Sequence, residues 1–199
     1  MKKAVIFDLG KVFVDFDVGL ACKNIGAVLN ESESDVFRFL FQNGLEDRFE
    51  RGEISTDEFY QEFLKRFKNP FLRSDLERAC ADIFTVKQDS VDFLWRLKQK
   101  FSGNIILLSN TNAIHWEFIK QKWSFVGWFN ERVLSFEEGV MKPNPKIYHK
   151  AIQLAGCRPE ECFFTDDLQA NVEGAVKCGI HSEVFISANQ IEPIICKLI

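Results

Sequence analysis

Residues 4–12, "AVIFDLGKV", set the frame for the whole chain. Four apolar residues, Val5 and Ile6 among them, run into Asp8, the pattern of a short strand buried on both faces that ends on a charge. Four more apolar runs repeat it, at residues 105–108, 133–134, 162–164 and 184–186. Helical periodicity separates most of them. Val91, Leu94, Trp95 and Leu97 share one helix face, and Asn144-Pro145 reads as a cap followed by a first-turn proline. A third helix is expected over about 169–178, stopped by Gly179. Strands alternating with helices predict an α/β fold: an open, mostly parallel, Rossmann-like sheet in three layers.

Residues 16–88 interrupt that alternation. They carry amphipathic patterns and two capping boxes, Ser55 with Glu58 and Ser74 with Glu77, but no convincing strand. A helical insert is predicted here, with the α/β core formed by residues 1–15 and 89–199. Because it leaves directly after the first strand, it is expected over that strand's carboxyl end, as a cap. Phe37, Phe39, Phe41, Phe49, Phe59, Phe63 and Phe67 are expected to fill its interior.

Bulk properties narrow the function classes. The 199 residues suffice for one good core and a satellite unit. Hydrophobic residues make up 46%, yet no stretch nears the roughly 18 apolar residues of a membrane span. Met1-Lys2-Lys3 and four apolar residues are too short for a secretory signal, so a cytoplasmic protein is expected. The formal net charge is -4 and the basic residues are dispersed, which excludes the footprint of a nucleic-acid binder. Six cysteines without Cys-x-x-Cys pairs read as reduced, mostly buried thiols.

Chemistry gathers where the apolar runs stop. The first ends at Asp8, the second at Ser109-Asn110, the fourth at Thr165-Asp166-Asp167. Ligands of open α/β sheets bind outside the carboxyl ends of the strands, so these three exits are expected to meet. Taken singly each has a plainer explanation: a turn at Asp8, a helix cap at Ser109 to Asn112, an acidic helix start at Asp166-Asp167 with Asn171, a surface lysine at Lys142. Together they suit phosphoryl transfer. An aspartate beside Mg2+ attacks phosphorus; Asp8 and Asp167 supply hard oxygens, Lys142 offsets negative charge, and Ser109 and Asn110 hold phosphoryl oxygens.

In this order the residues resemble the haloacid dehalogenase-like (HAD) hydrolases over essentially the whole chain. The motifs are Asp8-Leu9-Gly10-Lys11-Val12, Leu108-Ser109-Asn110, Lys142-Pro143 and Asp166-Asp167 with Asn171. Supporting stretches are "ERGEIS" (50–55), "LLSNTN" (107–112) and "NVEGA" (171–175). The resemblance is to the subfamily with a helical C1 cap, and most of all to bacterial α-D-glucose-1-phosphate phosphatases. It implies a Mg2+-dependent phosphatase of a small phosphorylated metabolite. Asp8 would be nucleophile and metal ligand, the Gly10 carbonyl and Asp167 further ligands, Lys142 the partner of Asp8, and Asp166 and Asn171 orienting groups behind the metal. Asp15 matches a structural acid in the turn towards the cap.

Gly10 departs from the family's usual pattern. Most phosphatases of this family carry there an aspartate that protonates the leaving oxygen, help worth about 10² to 10⁴-fold or roughly 3–5 kcal/mol. Either the leaving group needs little protonation, as in a sugar 1-phosphate, or another group substitutes, or the site binds phosphate and turns over weakly. The resemblance favours the first, with Lys11 as an electrostatic aid or a solvent-facing lysine. A non-catalytic phosphate-binding regulator is the rival reading. A dehalogenase is disfavoured by the acidic pair, and a serine hydrolase by the lack of a Gly-x-Ser-x-Gly turn; His115, His149 and His181 read as surface or helix residues. Substrate selection is expected from residues 46–51, with Arg48 and Arg51 reaching either a substrate or a surface ion pair.

Overall fold

Side chains of the first strand alternate between two separate apolar cores. Val5 and Phe7 enter one, Ala4 and Ile6 the other, the period of two that a doubly covered strand requires. The computed structural model describes residues 3–198. Strand β1 (Ala4–Phe7) is followed by β2 (Val14–Phe16) and five helices, α1 (Val18–Leu29), α2 (Glu33–Phe37), α3 (Leu45–Glu50), α4 (Thr56–Arg66) and α5 (Arg73–Ala81). Next come β3 (Phe84–Val86), α6 (Gln88–Lys100), β4 (Asn104–Ser109), α7 (Ala113–Lys122), β5 (Glu131–Leu134), α8 (Ser135–Glu138) and α9 (Pro145–Ala155). Strand β6 (Cys162–Asp166), α10 (Gln169–Lys177), β7 (His181–Val184) and α11 (Ala188–Leu198) close the chain.

Five parallel strands lie in the order β5-β4-β1-β6-β7. Helices α6, α7 and α11 bury Leu94, Trp116 and Ile191 against one face, and α9 and α10 bury Tyr148 and Ala175 against the other. Central β1 pairs Val5 with both Ile105 and Phe163, which brings the ends of β1, β4 and β6 level. The expected helix starts hold at Asn144, whose side chain accepts the Lys146 N–H ahead of Pro145, and at the Ser55–Glu58 capping box.

Three expectations need correction. The stretch 16–88 does contain strand: β2 pairs antiparallel with β3, Val14 opposite Val86, as a two-stranded ribbon at the base of the helical insert. Each strand has three residues, too few for a periodic signal. The last sheet strand is His181–Val184 rather than 184–186, because an edge strand tolerates His181, Ser182 and Glu183. Ser74 is not a cap. Helix α5 starts at Arg73, and Glu77 instead takes the Arg73 guanidinium at 2.8 Å.

The insert has its own interior. Phe39, Phe49, Phe59, Phe63 and Phe67 pack with Ile25, Leu29 and Leu76, and Phe49 stacks on Phe59 at 4.3 Å between ring centroids. Phe37 and Phe41 lie outside that cluster, against one another and exposed. Helix α5 packs on α7 and α3 on α8, so the insert rests on the side of the sheet where the strands end. All six cysteines are free thiols. Among the described residues no helix is long and apolar enough to cross a membrane.

Candidate active site

Asp8 leaves β1 with its N–H donated to Thr165 O at 3.0 Å, so the first and third strand exits are tied together. Behind it the chain turns tightly. The Leu9 carbonyl accepts the Phe13 and Val14 N–H groups, and Lys11 takes a positive φ of 56°. Lys87 locks the turn by donating its Nζ to Lys11 O at 2.6 Å.

Lys142 is the hub of the site. Its ammonium is buried and spends all three donors: Asp8 Oδ1 at 2.6 Å, Asp166 Oδ2 at 2.6 Å and Leu108 O at 2.9 Å. Burial alone would drive the lysine down, but the Asp8 and Asp166 charges outweigh it and its pKa ends raised. Asn110 places the lysine: its side chain accepts the Lys142 N–H at 2.8 Å and donates to Lys142 O at 3.1 Å. Asp166 is saturated, accepting from Lys142, the Leu168 N–H and both ways from Asn171 Nδ2. Those bonds hold the loop before α10.

Carboxylate oxygens of Asp8, Asp166 and Asp167 lie within 4.8 Å of one another. With Asp166 already saturated, Asp8 and Asp167 remain as hard oxygen donors on the scale of one cation's coordination sphere, a donor set that fits Mg2+. Burial raises Asp8 to about 7, with Lys142 opposing and Asp166 adding to the rise. Asp167 is also raised, by burial and then by Asp166. Two acids pushed upward side by side are what a divalent cation relieves.

Position 10 is tight for a side chain. A Cβ built on Gly10 would meet Phe16 Cε1 at 3.1 Å, and Gly10 bridges to Val14 in the turn. Lys11 Nζ donates to Phe16 O at 3.1 Å, pairs with Asp15 at 3.5 Å and sits 4.6 Å over the Phe16 ring, and its charge is still felt by Asp167, whose pKa it pulls down against burial. Asp15 thus steadies the turn.

Between insert and sheet lies a cavity of about 490 Å³, bordered by Gly10, Ser109, Asn110 and the α3 residues Glu46 and Glu50. Two close contacts fix α3 over it. Ser135 Oγ lies 2.6 Å from Glu50 O and accepts the Thr111 N–H at 2.9 Å. Gly52, at φ 65°, passes so near the Phe136 carbonyl that a Cβ would lie 2.1 Å from its oxygen, so only glycine fits. Asn112 caps α7 and donates to Glu46 Oε1 at 2.8 Å and to His115 Nδ1 at 3.0 Å. Burial raises Glu46 to about 7 and Glu50 to about 8, and lowers His115 to about 4.

The family model for haloacid dehalogenase-like hydrolases matches residues 2–179. The chain belongs to this family. The HAD-like hydrolase described here is 26% identical over 192 residues to a D-ribitol-5-phosphate phosphatase of Bacteroides thetaiotaomicron, covering 92% of this chain and 91% of that one. It superposes with a TM-score of 0.82 on a HAD family enzyme of the same organism in complex with magnesium and inorganic phosphate, at 25% identity over 92% of this chain and 94% of that one. A predicted HAD-like family hydrolase from Porphyromonas gingivalis gives the same TM-score, 0.82, at 25% identity, covering 100% and 98% of the two chains. These similarities are consistent with a phosphoric monoester hydrolase.

The structure of this hydrolase brings Asp8, Gly10, Ser109, Asn110, Lys142, Asp166, Asp167 and Asn171 to one end of the sheet. It does not bring the arginines there. Arg51 pairs with Asp47 at 2.7 Å on the surface, and Arg48 is exposed and outside the cavity lining. Sequence reasoning placed residues 46–51 near the site without singling out Glu50, read Asn112 only as a helix cap, and missed His115 and Ser135. The spacing of Glu46 and Glu50, one helical turn apart just before Gly52, was the available signal.

Proposed function

We propose that this protein is a Mg2+-dependent phosphatase of a small phosphorylated sugar or polyol, glucose 1-phosphate among the candidates, acting through an aspartyl-phosphate on Asp8. The observation that carries the reading is the buried Asp8–Lys142–Asp166 cluster with Asp167 beside it. In this reading Asp8, the Gly10 carbonyl and Asp167 hold the metal, which supplies the positive charge that lets two anions approach. A carboxylate oxygen of Asp8 attacks phosphorus and the bond to the leaving oxygen breaks. Lys142 stays charged and steadies both Asp8 and the transferring group, while the Ser109 hydroxyl and N–H groups at Asn110 hold phosphoryl oxygens. Water then cleaves the acyl phosphate and frees Asp8. The insert, residues 16–88, serves as the cap that screens this chemistry from solvent.

The cavity favours an uncharged tail on the phosphate. Its lining includes Glu46, Asp47 and Glu50 and, among the described residues, neither lysine nor arginine. A second phosphate or a carboxylate on the substrate would meet these acids unpaired. Hydroxyls would find Asn112 and the two glutamates. Magnesium and phosphate on the related Bacteroides enzyme, and the polyol phosphate named for the related phosphatase, support the same substrate class.

Gly10 favours a second reading, a phosphate-binding protein of weak turnover. Phosphate release from sugar 1-phosphates, sugar 6-phosphates, ribitol 5-phosphate and acyl phosphates decides between them. Release that requires Mg2+ and vanishes in Asp8→Asn supports the enzyme. Binding of inorganic phosphate with no release from any ester leaves only the binding protein.

A further inference from the structure

A leaving alkoxide needs a proton that position 10 cannot give, so the titratable groups bordering the cavity are the places to look. They are Glu46, Asp47, Glu50, Cys80 and His115. Four are disqualified. Asp47 is exposed and paired with Arg51. Burial raises the Cys80 thiol well above its ordinary value, which makes it a poor donor at neutral pH. His115 is held to about 4 by burial and carries no spare proton at neutral pH; its Nδ1 is turned to Asn112. Glu46 is engaged by Asn112 Nδ2 at 2.8 Å, and Asp8 and Lys142 are not among the charges it feels.

Glu50 differs in each respect. Its carboxyl has no hydrogen-bond partner among the described residues, and the charges acting on it are Glu46 and Asp47 from its own helix and Lys142 and Asp8 from loops of the α/β core. Its backbone is anchored to the core through Ser135 and, two residues on, through the close approach of Gly52 to Phe136. The side chain therefore starts from a fixed point on the wall of the cavity that Gly10, Ser109 and Asn110 also border. Burial and the neighbouring acids raise it to about 8, so near neutral pH it carries a proton and can also take one back.

We propose that Glu50 is the general acid and base of this hydrolase, presented by the insert in place of a side chain at position 10. This rests on the phosphatase reading above. In the first half-reaction Asp8 forms its bond to phosphorus, the P–O bond to the alcohol breaks, and the departing oxygen takes the Glu50 proton, leaving alcohol and a Glu50 carboxylate. In the second, that carboxylate takes a proton from water as the water oxygen bonds to phosphorus. The acyl phosphate bond breaks, giving inorganic phosphate, a free Asp8 carboxylate and protonated Glu50.

The test compares an alkyl ester, ribitol 5-phosphate or glucose 6-phosphate, with p-nitrophenyl phosphate, whose leaving group departs without protonation. Because kcat/KM reports the first half-reaction, Glu50→Gln is expected to lower it about 10²-fold or more on the alkyl ester, and at least tenfold less on the aryl ester. Equal losses on both, or no loss on either, overturn the role of Glu50. Wild-type protein that releases phosphate from neither ester overturns the phosphatase reading itself. Should Glu50→Gln not fold, wild-type pH profiles decide. The alkyl ester is expected to lose kcat/KM on the alkaline side where the aryl ester does not, and superimposable profiles overturn the proposal.

Discussion

The Phe16 ring crowds the space in which a side chain at Gly10 would begin, with Cε1 3.1 Å from the position of the missing Cβ. Phe16 belongs to β2 and its ring packs on Phe84 of β3 at 6.2 Å, so the ribbon at the base of the insert guards position 10. Grafting an acid there alone should therefore not restore the usual arrangement of the family. Gly10→Asp is expected to cost about 1 kcal/mol of stability through overpacking and to leave alkyl ester turnover no better than wild type. Combined with Phe16→Ala, the two changes should couple favourably by at least about 0.5 kcal/mol in a double-mutant cycle of urea melts. Strict additivity would show that the ring yields freely.

Lys142 separates chemistry from stability. Lys142→Met leaves Asp8 and Asp166 buried without their counter-charge, and breaking a buried pair from one side costs about 3–5 kcal/mol. Asp8→Asn keeps a hydrogen-bond acceptor for the ammonium while removing the carboxylate proposed as nucleophile. The expected pattern is a folded, inactive Asn variant, down at least about 10⁴-fold, beside a Met variant that is both inactive and markedly less stable in thermal unfolding. A Met variant as stable as wild type would show that the acids neutralise themselves by taking up protons.

Much of this site could be read from strand exits alone, because Asp8, Ser109 and Asp166 each end a run of buried apolar residues whose register the sheet then equalises. Lys142 was legible only through its motif. Nothing local distinguishes it from a surface lysine, and its burial depends on two acids, one from each of two strands. The β2–β3 ribbon was illegible because its two strands lie some 67 residues apart and neither spans a full alternation. The cavity-facing side of α3 was hidden for a related reason: Arg48 and Arg51 draw attention in this stretch, whereas geometry leaves them outside the cavity and Glu50 on its lining. Gly52 marks the contact that decides it, but a glycine's tolerance for a neighbouring carbonyl is visible only once the neighbour is known.

His115 should make the junction between insert and sheet sensitive to acid. Its pKa of about 4 in the folded protein lies below the ordinary 6.5, so the unfolded chain binds the extra proton. Stability from this residue is whole above pH 6.5 and is lost as pH falls through that value towards 4. The side chain is half-buried, so the loss is expected on the order of 2 kcal/mol. His115→Gln should flatten the stability profile between pH 6.5 and 4 in urea titrations, while an unchanged slope would assign the acid response elsewhere.

Glu46 carries the opposite sign. Raised from 4.5 to about 7 by burial, it binds its proton more tightly folded than unfolded, so its contribution is greatest below pH 4.5 and declines as pH rises through 7. Glu46→Gln keeps an oxygen for the Asn112 Nδ2 hydrogen bond and removes the charge. The variant is expected to gain on the order of 2 kcal/mol over wild type at pH 8 and nothing at pH 4, because only the ionised carboxylate opposes burial. The same substitution leaves Glu50 in place but withdraws the neighbouring charge that helps to hold its proton. The alkaline limb of alkyl ester hydrolysis should then shift to lower pH. Such a shift ties the insert's electrostatics to turnover, and a limb that stays fixed while stability rises at pH 8 would confine Glu46 to the fold.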